Sequence, residues 1–107
     1  MSETQTEPDD DTLTIDTTDC IETADVALAH GRNCLIADLP SQCQDEIDEA
    51  RRQVELISGK HGTDIAEPMT ELLGSATFYV EQNRFFRARK AMRDVQRLLH
   101  ELRCQTD

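Results

Sequence analysis

The sequence predicts an all-α fold, a small antiparallel bundle of three long helices plus one N-terminal helix behind a disordered acidic tail. Three observations carry that expectation. Through four stretches after residue 19, apolar residues recur every three or four positions, as one buried face of a helix requires. Capping residues, Pro, Gly and Asn stand between those stretches. No stretch of useful length alternates apolar and polar residues, so no sheet is expected.

The first nineteen residues carry seven acids and no base and hold almost nothing apolar. They cannot bury enough surface to offset the entropy of ordering, which predicts a disordered tail over residues 1–18 and a single helical domain over 19–104. Asp19-Cys20-Ile21-Glu22 offers a capping box, and Ile21, Ala24, Leu28, Leu35 and Leu39 share one side of the helix that follows. Gly31 and Asn33 weaken that helix. It should stop near Asp38, because Pro40 disfavours helical geometry in the residue before it.

Ser41-Gln42-Cys43-Gln44 is a second capping box, opening a helix to Ser58 whose stripe is Cys43, Ile47, Ala50, Val54 and Ile57. Gly59 and Gly62 are expected to end it. A third helix starts between Asp64 and Pro68, since Pro is tolerated in a first turn, and runs to Gln82 with Met69, Leu72, Leu73, Ala76 and Val80 inward. Asn83 supplies the turn. The fourth helix, Arg84 to about Arg103, presents Phe85, Ala88, Met92, Val95, Leu99 and Leu102 at helical spacing. Short connections at residues 59–63 and at Asn83 would force neighbouring helices to run antiparallel.

Acids outnumber bases 22 to 11 for a net charge of −11, and nine of the eleven bases are Arg. Many carboxylates and few ammonium stems keep a protein hydrated at high ionic strength, whereas at low salt the same charges repel and loosen the fold. In composition the chain resembles small haloarchaeal cytoplasmic proteins. No N-terminal segment pairs a basic flank with an apolar run, and the longest apolar stretches are a few residues, such as Cys34-Leu35-Ile36-Ala37. The expectation is a cytoplasmic protein with no membrane span.

Charge is unevenly divided. Arg84 to Arg103 holds seven bases and two acids, net +5, while Met1 to Asn83 holds four bases and nineteen acids, net −15. On a helical wheel Arg89, Lys90, Arg93, Arg97 and His100 fall opposite the apolar stripe, with Phe86 beside them. Aromatic and Arg side chains together are what interface centres favour, because both bury large rigid surfaces and Arg forks onto carboxylates or phosphates. Three readings compete for this ridge. It neutralises the protein's own acids, among them Glu46, Glu49 and Glu55 or the acidic tail. Alternatively it meets a protein partner or a second copy of the chain, through Phe86, Arg89, Lys90, Arg93 and Arg97. Third in order, it lies along nucleic acid as in a small transcriptional regulator, against which the overall negative charge argues.

His30 and Cys34 share a helix face, with Cys20 and Cys43 in reach of a zinc hypothesis, but the cysteine spacing matches no knuckle or finger. All four cysteines, Cys104 included, read first as reduced, small buried hydrophobes, so no metal and no cofactor is expected. Cys43, near a helix start, is also a redox candidate through a lowered thiol pKa. No Gly-rich phosphate loop, His-Glu-x-x-His or nucleophile elbow occurs, and the expectation is a non-enzymatic interaction or adaptor module.

Residues 72–99 add one likeness. Tyr79, Val80, Asn83, Phe85, Ala88, Met92 and Val95 fall where a tetratricopeptide-type hairpin places its packing residues, so the segment resembles a single such hairpin, with Asn83 where that family commonly has Gly. There is no second copy to stack on. The resemblance implies a hairpin of similar shape with a taste for binding other proteins.

Overall fold

A computed structural model describes residues 16–106. Among them the chain is all-α, a helical bundle of α1 (Thr17–Ile36), α2 (Pro40–His61), α3 (Thr63–Glu81) and α4 (Phe85–Thr106), with no strand. The expected tail lies outside the described residues up to Ile15. The first described helix begins at Thr17, ahead of the start expected at Asp19.

The helices close into a ring. α1 packs on α2 and α4, and α3 packs on the same two, while the backbones of the diagonal pairs stay apart. The most extensive interface joins α1 to α2, so the first helix is a full member of the bundle rather than an appendage to three others. Each helix contributes its apolar stripe to one core: Leu28 from α1, Ile47 and Val54 from α2, Met69 and Leu73 from α3, Met92 and Leu99 from α4, all essentially inaccessible. A helix with one apolar stripe has nowhere to hide it except against another such stripe, and four of them satisfy one another.

Several ends differ from the sequence expectation. α1 is capped by Asp16, whose Oδ1 accepts the Thr18 N–H at 2.9 Å, and not by Asp19. Thr17 is buried behind that cap, its Oγ1 2.7 Å from His61 Nε2, which ties the start of α1 to the end of α2. That buried tie favours the earlier start. The Ser41 capping box does not form, because α2 begins at Pro40, whose missing N–H is one of the unpaired donors of a first turn anyway. Gln44 turns outward instead and donates to the Thr77 carbonyl of α3 at 3.3 Å. α2 continues through Gly59 to His61, and Gly62 alone separates it from α3. Pro68 consequently lies inside α3 rather than in its first turn. Gly31 does not interrupt α1; a Cβ there would stand 2.6 Å from Met92 Cε, so its bareness admits the α4 methionine to the core.

Asp38 and Asn83 end α1 and α3 in the same way. Both have left-handed backbone, with φ 63° and 60°. Beyond each, an N–H returns five residues, Leu39 to the Cys34 carbonyl at 2.7 Å and Arg84 to the Tyr79 carbonyl at 2.8 Å, in Schellman fashion. Asn tolerates this geometry and Asp less comfortably. Asp38→Gly should therefore raise the unfolding free energy by about 0.5–1 kcal/mol, read as a higher urea midpoint with unchanged slope. An unchanged or lowered midpoint would contradict the strain.

Candidate interaction surface

α4 owes its position between α1 and α3 to a stripe that is continuous from Ala88 to Leu102. That docking turns the basic side of the helix outward and toward α1. Phe86, Arg89, Lys90, Arg93 and Arg97, the five residues expected to form a contact surface, all border one hollow of about 310 Å³. Phe86 is 73% exposed, more than any other large apolar side chain among the described residues. The Arg89 guanidinium carbon stands 5.9 Å from its ring centroid, within cation–π range.

Arg32 of α1 forms the opposite wall, which the sequence did not reveal. Its NH1 donates to Gln96 Oε1 at 2.9 Å, whereas its Nε is buried without a hydrogen-bond partner. Asp94 is the one carboxylate bordering this hollow, 3.4 Å from Lys90 Nζ and 3.5 Å from Arg97 NH1. Such exposed pairs contribute little to stability.

Arg93 and Arg97 also border a second hollow of about 460 Å³, so the two hollows form one trough along the seam of α1 and α4. Ile21 and Leu99 give the second hollow an apolar lining, and His100 stands at its side. Its acids are engaged: Gln96 Nε2 donates to Asp25 Oδ1 at 2.8 Å, and Arg103 NH2 lies 3.3 Å from Glu22 Oε2. The acids nearest the ridge thus come from α1 and from α4 itself. Glu46, Glu49 and Glu55 belong to α2, diagonal to α4, and Glu49 is held by Arg52 and Gln53 on its own helix. Hydrogen bonds from Gln53 and then Arg52 keep its carboxyl below the usual range.

Cys20 and Cys43 follow the buried, apolar reading, whereas Cys34 is only half-buried and Cys104, near the end of α4, is exposed. Burial pushes the Cys43 thiol up to about 12, with Cys34 and Glu46 adding to it, which overturns the lowered pKa that a redox role at a helix start would need. Burial, then Asp19 and Asp16, raise Cys20 as well. Cys34 is half-buried with Sγ 3.9 Å from Gln42 Oε1, and His30 is exposed. Among the described residues no three His, Cys, Asp or Glu side chains gather as metal ligands would.

The raised thiols make stability pH-dependent. A thiol with a folded pKa above its unfolded value of 9.0 stabilises fully below that value, and the contribution is lost as pH climbs toward about 12. The urea midpoint should fall between pH 9 and pH 11, and Cys43→Ala should flatten the fall. Parallel profiles for the two proteins would exclude Cys43 as its source.

No family model matches the chain, and comparison with curated proteins and with solved structures likewise finds no match.

Proposed function

We propose that this chain is a non-enzymatic interaction module that docks a protein partner, or a second copy of itself, on the α1–α4 trough through Phe86, Arg89, Lys90, Arg93 and Arg97. One observation carries the reading: Phe86, 73% exposed and stacked by Arg89, stands in a hollow bordered by five cations and one carboxylate. An aromatic left in water beside half-buried Arg gains most by being covered, and such pairs form the energetic centres of interfaces.

The scaffold beneath is read as an antiparallel, up-down-up-down bundle. Asn and Gly connections of one to three residues support this, as do the juxtapositions of Thr17 with His61 and of Glu22 with Arg103. Acidic composition and the Arg bias support a salt-adapted, cytoplasmic setting; among the described residues no helix is long and apolar enough to cross a membrane. The likeness of α3 and α4 to a single tetratricopeptide-type hairpin agrees with a protein-binding role.

Those five cations also favour a second reading, a small transcriptional regulator lying on DNA through α4. Salt separates the two. Fluorescence anisotropy of labelled duplex DNA from 0.05 to 2 M KCl should show no binding at high salt, while partner capture or self-association there should weaken at least ~10-fold in Phe86→Ala. Tight DNA binding with a steep salt slope, together with indifference to Phe86→Ala, would replace the module by the regulator.

A further inference from the structure

Resting on that reading of the trough, we infer that its occupant is the outer face of α2 of a second copy of the chain, laid antiparallel along α4. Charge complementarity is the first argument. Phe86, Lys90, Arg93 and Arg97 form the outermost stripe of α4, and Asp45, Asp48, Arg52 and Leu56 that of α2; all are exposed. Each stripe carries what the other lacks. Arg93 makes no ion pair among the described residues, and neither do Asp45 and Asp48. Leu56 is 41% exposed, an apolar side chain on a stripe otherwise polar, as Phe86 is on α4.

Register is the second. Phe86 and Arg97 stand eleven residues apart, as do Leu56 and Asp45, ~17 Å along either helix. Run antiparallel with Phe86 on Leu56, the stripes therefore set Arg97 on Asp45 and Arg93 beside Asp48, while Arg89 comes alongside Glu55. Lys90 then meets Arg52, but each brings its own carboxylate, Asp94 at 3.4 Å and Glu49, so this layer is neutral. A parallel arrangement with Phe86 on Leu56 instead carries Arg93 and Arg97 past the end of α2 and leaves both without a carboxylate on that helix. α2 lies diagonal to α4 in the ring, so a copy whose trough is filled still offers its own α2 on the opposite side. The contact is head-to-tail and does not close as a two-fold dimer. Ion pairs covered by the docked helix are screened less by salt than exposed ones, whereas the mutual repulsion of two chains at net −11 acts over longer distances and fades first.

The test is sedimentation velocity of the full chain from ~10 µM to ~1 mM in ~0.5 M KCl, where the Debye length is about 4 Å. The mean mass should rise with concentration past two copies, with no plateau there. One variant removes the trough contacts, Phe86→Ala with Arg93→Gln and Arg97→Gln; a second removes the α2 contacts, Leu56→Ala with Asp45→Asn and Asp48→Asn. Each alone should associate at least ~10-fold more weakly than the wild type. Mixed in equal amounts, the two should regain the wild-type affinity and stop at a 1:1 pair, since one complementary contact remains between them, and this recovery shows that both are folded. A wild-type chain that stays monomeric throughout the range overturns the inference. So does a plateau at two copies, an α2 variant that associates like the wild type, or a mixture that does not pair. Partner capture is measured separately: its loss in Phe86→Ala, in a chain that never self-associates, would sink the second copy and spare the interaction module.

Discussion

Leu28→Ala should remove about 2–5 kcal/mol of unfolding free energy, while Val26→Ala, two residues earlier on the same helix, should change it by less than about 0.5 kcal/mol. Leu28 is wholly inaccessible at the centre of the ring, whereas Val26 is 51% exposed on the outer side of α1. Truncating the first forfeits the transfer of its methyl groups out of water and leaves a cavity that helices on two sides cannot fully close. Truncating the second exchanges a β-branched side chain for the best helix former in water. For a domain of this size the Leu28 variant should melt at least ~10 °C lower. Equal effects at the two positions, followed by helical circular dichroism on heating, would mean that α1 is not seated in the core as described.

Gly62→Ala should cost about 1–3 kcal/mol, and Gly59→Ala should gain up to about 1 kcal/mol. Neither added Cβ meets an atom within 4 Å, so packing plays no part in the difference. Gly62, the single residue between α2 and α3, has φ 103° and ψ 152°, close to a region that only glycine occupies without strain, and its N–H still caps the Ser58 carbonyl at 2.8 Å. Gly59 sits inside α2, exposed, where glycine only adds freedom to the unfolded chain. The same chemical change therefore has opposite signs three residues apart. Urea midpoints moving in the same direction for both variants would refute the one-residue connection.

Much of this fold was legible before any coordinates, for local reasons. Helical spacing of Cys43, Ile47, Ala50, Val54 and Ile57 has one economical solution, and all five are buried. Asn83 reads as a helix stop because it accepts left-handed backbone, and it has φ 60°. Helix starts were less legible: Asp19 and Ser41 have the right chemistry for caps, yet Asp16 and Pro40 begin the helices. A cap signal states only that a residue can end a helix, and burial of Thr17 against His61 shows what selects among candidates.

What the sequence alone determined is the helical class, the apolar stripe of each helix apart from Leu39, which lies beyond α1 and is 43% exposed, and the outward basic side of α4, because periodicity fixes the azimuth of a side chain on its own helix. Which neighbour that side looks toward was decided only by the tertiary structure. The closed ring sets α4 beside α1 and α3, leaves Glu46, Glu49 and Glu55 on the diagonal helix, and brings up Arg32 from 54 residues before Phe86 to complete the hollow. A helical wheel cannot supply such a pairing, because ring order depends on all four stripes burying one another at once and on how short the connections are.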